Sequence, residues 1–201
     1  MSLQIYGLTV EEFIKEALLE DVGDGDHTSL ACIDADAIGK ALVKVKEAGV
    51  IAGLVLADQI LNHVDSTFKV KVSCNEGKEV KPGEVVINIE GKVLSLLKAE
   101  RITLNCLQRM SGIATKVRRL TKLIEGTGAK VLDTRKTTPN FRRFEKWAVQ
   151  IGGGINHRFG LYDMILIKDN HIEANGGIEN VLKKLSQIIV FLHELVAKQD
   201  G

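Results

Sequence analysis

Aromatic residues are scarce, 4 % of 201 positions, so the core has to come from leucine, isoleucine, valine and alanine within an apolar content of 45 %. Cysteine is scarce as well. Cys32, Cys74 and Cys106 stand far apart, with no CxxC pair. An odd set of distant thiols excludes a disulfide scaffold and points to buried free thiols in a reducing cytoplasm. The N-terminal MSLQIYGLTVEE lacks the charged and apolar regions of a secretory signal. No apolar run approaches the roughly 20 residues of a membrane span. Charge of one sign is lacking too: the net charge is +1 and no polybasic run occurs. That argues against non-specific nucleic-acid binding. The expectation is a soluble cytoplasmic protein with neither membrane nor nucleic acid as partner, built as one large domain or two small ones.

Several catalytic and metal signatures are missing. Asp24 and Asp26, in GDGDHTS, lack the glycine and final glutamate of an EF-hand loop. That segment is expected to be a structured turn. GGGINH, from Gly152 to His157, has neither the third glycine of a dinucleotide fingerprint nor the ending of a P-loop. Its consecutive glycines allow close backbone approach to a ligand, or a tight turn. His193 and Glu194 open like a zincin motif, but Ala197 stands where its second histidine belongs. His157 and His171 fit no structural zinc spacing.

What is present begins with a helix. Thr9 is an N-cap and Glu12 completes a capping box, with Val10, Phe13, Ile14, Ala17 and Leu18 on one face. From Lys40 to Val93, apolar and polar residues alternate between glycines and the turn KPGE, which predicts an antiparallel or mixed sheet interrupted by the helix LADQILNHV. His63, near the end of that helix, is expected at the surface. From about Leu94 a long helix follows, with Ala99, Thr103, Cys106, Met110, Ile113 and Val117 spaced every three or four residues. Its other face, Arg101, Asn105, Gln108, Gly112 and Thr115, is polar but nearly uncharged. Such a face suits a subunit partner, a pocket rim or plain solvent. Gly112 inside a helix implies close packing there. Residues from Ile178 to Val196 predict one or two more helices.

The chemistry concentrates between Val131 and His171. Two apolar runs, VLDT and MILIK, are expected to be adjacent parallel strands (Lys130 to Thr134 and Met164 to Lys168) with a helix between them from about Phe141 to Gln150. Cations follow directly: Arg135 and Lys136 after the first run, Lys168 at the end of the second, with Arg142, Arg143, Lys146, His157 and Arg158 between. Parallel α/β folds place ligands beyond the carboxyl ends of their strands, so the cluster points to an anionic ligand. Asp133, Glu145, Asp163, Asp169 and Glu173 share the stretch, and a solvated surface is the competing reading.

The residues DTRKTTP, EKWAV and GGGINHRFGLYDMILIKDNH resemble the quinolinate phosphoribosyltransferase family, as do ALLEDVGDGDHTS, KEAGVIAGL and AERITLNCLQRMSGIAT in the same order. The resemblance covers roughly Leu8 to Lys184. It implies an α/β chain: an α+β N-terminal sandwich domain with the start of a linking helix over residues 1–108, then an open, here incomplete, α/β barrel over 109–201. It implies phosphoribosyl transfer from 5-phosphoribosyl 1-pyrophosphate (PRPP) to quinolinate, with Mg²⁺ and no organic cofactor, in a homodimer or larger homo-oligomer. Arg135, His157 and Arg158 would bind the quinolinate carboxylates. Lys136 and Lys168 would contact quinolinate or the phosphoribosyl group and serve catalysis. Arg101 would reach a neighbouring subunit's pocket. Few residues follow Lys168, whereas a barrel takes roughly 200 residues or more. The family's later acidic pair near ribose and metal finds no equivalent in SQIIVFLHELVAKQDG, which implies little turnover by these residues. A molybdenum-transport-associated relative, or a partner-only paralogue, are the alternatives.

Overall fold

The computed structural model of the chain describes residues 7–197, with side-chain surroundings through residue 188. The described residues divide into two compact units that meet in sequence between Phe159 and Gly160. No helix among the described residues is long and apolar enough to cross a membrane.

The first unit opens with α1 (Val10–Val22), held by the expected capping box. Thr9 Oγ1 accepts the Glu12 N–H at 3.2 Å, and Glu12 Oε2 accepts the Thr9 N–H at 2.7 Å. Ile14 and Leu18 are buried. The segment expected to be a turn instead contains a six-residue helix, α2 (His27–Cys32). Asp26 starts it by accepting the Ser29 N–H at 3.0 Å, a cap that the flanking glycines masked in the sequence.

Then come β1 (Ile38–Lys44), β2 (Gly49–Val50), α3 (Leu54–Val64), β3 (Lys69–Val72), β4 (Glu79–Val80) and β5 (Val85–Lys92). Every pairing among them is antiparallel: β1-β5-β3 form one sheet and β2-β4 a second. In β1, exposed Ile38 and Leu42 alternate with half-buried Gly39, Ala41 and Val43, the period-two pattern visible in the sequence. The start of α3 has no local side-chain cap. Glu76, from the loop before β4, supplies one from a distance by accepting the Gly53 N–H at 2.9 Å and the Val55 N–H at 3.0 Å. A carboxylate there also meets the positive end of the helix dipole.

The next helix, α4 (Val93–Leu123), has 31 residues and is about 46 Å long at 1.5 Å per residue. It separates two apolar clusters. Ile102, Cys106, Met110 and Ala114 pack with α1, α3 and, later in the chain, Phe144 and Ala148. Ala99 and Leu107 pack with α3 and the sheet residues Val86, Ile87 and Ile89. Thr115, on the polar face, accepts the Val50 N–H at 2.8 Å. Gly112 corrects the expectation of close packing: a Cβ built there meets nothing within 4 Å. The helix tolerates it at the exposed face, where no neighbour demands a small residue.

Beyond α4, the parallel pairing differs from expectation. Leu132 does form a parallel bridge, but with Ile155 of the glycine run, across α5 (Arg142–Ile151). The Ile155 N–H donates to Val131 O at 2.9 Å and the Asp133 N–H to Ile155 O at 3.2 Å. Residues 164–168 belong to no strand. Met164, Ile165 and Leu166 are 49 %, 58 % and 37 % exposed. An apolar run is a strand only when a neighbour takes up its backbone groups, and hydropathy does not name that neighbour. The helix expected from Phe141 to Gln150 is α5, shifted by one residue.

The second unit contains α6 (Asp169–Ala174) and α7 (Ile178–Ala197). Gly176 and Gly177, with φ of 70° and 127°, make the turn between them. The region from Ile178 to Val196 is thus one helix.

Candidate active site

Two loops meet at the carboxyl end of the Leu132–Ile155 bridge: residues 133–138 and residues 156–159. Three buried or half-buried charges fasten them.

The first is Lys146 of α5, whose side chain is 2 % exposed. Its Nζ donates to Asp133 Oδ1 at 2.6 Å and to His157 O at 3.0 Å. The same Asp133 oxygen accepts the His157 N–H at 2.8 Å. Asn156, turned so that both ends of its amide are satisfied, donates to Asp133 Oδ2 at 2.8 Å and Lys146 O at 2.9 Å. A buried ion pair needs such additional partners to offset its desolvation.

The second is Arg142, at the start of α5. It donates to Thr137 Oγ1 at 2.8 Å, Phe159 O at 3.0 Å and Arg135 O at 3.3 Å. One planar guanidinium therefore holds the backbones at Arg135 and Phe159 within its own span. The third is Glu145, with an 8 % exposed side chain. It accepts Arg109 Nη2 at 2.7 Å, Arg109 Nε at 2.9 Å and the Thr138 hydroxyl at 2.9 Å. This ties the end of the first loop to α4. Between Thr138 and Phe141, Pro139 and Asn140 form a turn closed by the Phe141 N–H on Thr138 O at 3.1 Å. Asn140 takes φ 60°, a conformation asparagine tolerates better than most residues. Phe13, Phe141 and Phe144 then stack at 4.7–5.5 Å, fixing the turn to α1.

The structure brings four of the expected site residues onto these braced loops, Arg135 and Lys136 on the first and His157 and Arg158 on the second. Arg135 is half-buried and its Nε is buried without a hydrogen-bond partner. His157 is half-buried, and Arg158 is 7 % exposed. Lys136 is exposed on the first loop. Arg101 lies elsewhere, exposed on α4 along an open groove of about 970 Å³ that Asn105, Thr138 and Asn140 also line. Lys168 is exposed in the second unit, where its N–H donates to His171 Nδ1 at 2.9 Å ahead of α6. An orphaned guanidinium nitrogen beside exposed Lys136 suits a bound carboxylate, which supplies planar paired acceptors.

Sequence reasoning missed the bracing residues Asp133, Lys146, Arg142, Glu145 and Arg109 as a group. A signal was there: Asp133 sits inside VLDT, and Glu145 and Lys146 sit between Phe144 and Trp147, so each charge has apolar neighbours in the chain. Those acids do not lie on a solvated surface. They neutralise cations that serve as framework. The triple glycine also has a structural use. A Cβ on Gly152 would lie 2.6 Å from Ala114 O, and one on Gly154 2.8 Å from Val149 Cγ1. Close approach is to α4 and α5, and Arg118 of α4 seals it by donating to Gly152 O at 3.1 Å.

Comparison with known proteins follows the same segments. The family models described as quinolinate phosphoribosyl transferase, N-terminal domain, and quinolinate phosphoribosyl transferase, C-terminal domain, match residues 26–111 and 113–197. Quinolinate phosphoribosyltransferase (decarboxylating) 1b of Nicotiana tabacum is 46 % identical over 179 residues, 88 % of this chain and 50 % of the relative. The chloroplastic nicotinate-nucleotide pyrophosphorylase (carboxylating) of Arabidopsis thaliana is 47 % identical over 179 residues, with the same shares, 88 % and 50 %. The crystal structure of NadC from Streptococcus pyogenes superposes with a TM-score of 0.83 at 39 % identity, covering 90 % of this chain and 66 % of that one. The chain spans about half the length of the curated relatives it matches. Matched in order by both domain models and by an α/β structure of this likeness, the chain belongs to the quinolinate phosphoribosyltransferase family.

Proposed function

We propose that this chain binds quinolinate and takes part in its phosphoribosylation by PRPP with loss of CO₂, giving nicotinate mononucleotide and pyrophosphate. The observation that carries the proposal is the pair of braced loops, which presents Arg135, His157 and Arg158 on a rigid frame and leaves a buried Arg135 nitrogen in need of an acceptor. The names of the relatives support it.

In this reading Arg135, His157 and Arg158 bind the two carboxylates of the pyridine ring. The ring nitrogen attacks the anomeric carbon of PRPP as the bond from that carbon to pyrophosphate breaks. Negative charge grows on the leaving oxygen, and Lys136 and Lys168 are assigned to stabilise it. Lys168 is assigned from the resemblance alone. The nitrogen, now carrying four bonds, is cationic and draws the electron pair of the adjacent carbon–carboxylate bond into the ring. CO₂ departs and a proton takes its place. Mg²⁺ belongs to the proposal as the ion that accompanies PRPP. Among the described residues no three His, Cys, Asp or Glu side chains gather to hold a metal, so no step is routed through one.

Assembly as a homodimer or larger, with Arg101 serving a neighbouring subunit's pocket, is part of the same proposal and is supported by the exposure of Arg101 on α4. A cytoplasmic setting is supported by the three free cysteines. The test is calorimetric. Quinolinate is titrated into the purified chain alongside nicotinate, which lacks the 2-carboxylate. Clear preference for quinolinate is expected, and equal binding of the two, or binding of neither, overturns the proposal.

A further inference from the structure

We propose that Asp133 and Lys146 are positioning residues for quinolinate, acting through the backbone of His157. The inference rests on the reading of Arg135, His157 and Arg158 as the carboxylate site. Neither Asp133 nor Lys146 presents itself to a ligand. The Lys146 side chain is 2 % exposed and that of Asp133 is 7 % exposed, and their charged atoms are spent on each other at 2.6 Å.

What the pair does beyond self-neutralisation is specific. Asp133 Oδ1 accepts the His157 N–H at 2.8 Å, and Lys146 Nζ donates to His157 O at 3.0 Å. Both peptide groups of one residue are pinned by one ion pair, which limits rotation about both of its backbone dihedrals. The side chains of His157 and Arg158 are thereby aimed. Asp133 also stands two residues ahead of Arg135, so a single carboxylate registers the two loops against each other. Stability alone gives no reason for the arrangement. Replacing a buried ion pair by apolar residues of similar volume is often neutral or stabilising. An apolar pair, however, has nothing with which to hold the His157 N–H and C=O.

This separates positioning from mere structure. Lys146→Met alone leaves the Asp133 carboxylate buried and unpaired, and is expected to unfold far below the wild-type temperature. The double variant Asp133→Asn with Lys146→Met carries no charge. The carbamoyl oxygen introduced by Asp133→Asn still accepts the His157 N–H, but His157 O has lost its donor. Its melting temperature is expected to exceed that of Lys146→Met without reaching wild type, because the amide nitrogen introduced by Asp133→Asn faces the Asn156 donor. Its quinolinate affinity is expected to stay at least tenfold weaker, and amide exchange over residues 156–159 to stay faster than wild type while α4 is unchanged. Recovery of affinity to within twofold, with wild-type exchange over 156–159, would overturn the inference and leave the pair a structural one. If the double variant does not fold, Asp133→Leu with Lys146→Met, an apolar pair that holds neither the N–H nor the C=O of His157, is measured in the same way and judged by the same two readouts. Failure of the underlying reading looks different: Arg158→Ala then binds quinolinate as tightly as wild type, while exchange still reports whether the pair holds His157.

Discussion

The clamp between Arg109 and Glu145 gives a quantitative test of how firmly the first loop is held. Glu145 is nearly buried while Arg109 is 57 % exposed, so the pair is half in water. Exposed pairs couple by about 0.2–1 kcal/mol, and breaking a fully buried one costs about 3–5 kcal/mol. Geometry favours the upper half of that interval, because Nε and Nη2 both reach Oε1 at 2.9 and 2.7 Å. Exposure of the guanidinium lowers it, since Arg109 recovers water once its partner is gone. We expect a coupling of roughly 1.5–3 kcal/mol between Arg109→Ala and Glu145→Ala in a double-mutant cycle. Glu145→Ala by itself also strips two acceptors from Thr138 and is expected to lower stability by about 2–3 kcal/mol. At roughly 2–4 °C per kcal/mol for a chain of this size, that is a fall in Tm of about 4–12 °C. The only tryptophan, Trp147, lies two residues from Glu145 and reports urea unfolding by fluorescence. A coupling below about 0.5 kcal/mol would show that water substitutes for the clamp, and the argument that Glu145 anchors the loop would fail.

Glycines give a contrast of sign. Gly112→Ala, on an open helix face, is expected to raise stability by up to about 1 kcal/mol, whereas Gly152→Ala forces a Cβ onto Ala114 O and is expected to lower it by about 1–3 kcal/mol; opposite shifts in urea midpoint check both. Burial pushes the Cys106 thiol up to about 12, so iodoacetamide at pH 8 should label exposed Cys32 and spare Cys106 until the chain unfolds, as peptide mass mapping will show. The carboxyls of Glu79, Glu84 and Glu90 are held below their ordinary range of about 4.5, chiefly by hydrogen bonds from Lys122, Lys78 and Lys69. In each case the unfolded chain takes up the proton first. Their contribution is therefore complete at neutral pH and is lost as pH falls below about 4.5 through the lower folded values. Tm should hold from pH 7 to 6 and decline below pH 5, and a Tm that rises on acidification would contradict this assignment.

The local structure was legible wherever one short-range signal decided it. Thr9 and Glu12 announced α1, alternation announced β1 and β5, and a three-to-four spacing announced α4. Elements that depend on a remote partner were not legible. Glu76 caps α3 from more than twenty positions away, and nothing near Gly53 in the chain foretells it. VLDT and MILI look alike in hydropathy, yet of the two only VLDT forms a β-bridge among the described residues, from Leu132 to Ile155. The candidate site divided along the same line. Arg135 stood out because it directly follows the apolar run VLDT, whereas His157 and Arg158 were assigned with it only through the family resemblance of GGGINHRFG. Asp133 and Lys146 were counted only as charges in a nearly neutral window, because burial, which separates a framework ion pair from a solvated one, is a property of the folded chain.

Under the proposed function, guanidinium groups at the two braced loops hold quinolinate. Calorimetric titration of quinolinate into wild type, Arg135→Ala and Arg158→Ala tests it most directly. A charge-assisted pair lost at a buried site costs about 2–5 kcal/mol, so each substitution is expected to weaken quinolinate by on the order of thirty-fold or more. PRPP binding should change far less. Quinolinate affinity unchanged in both variants would contradict the account.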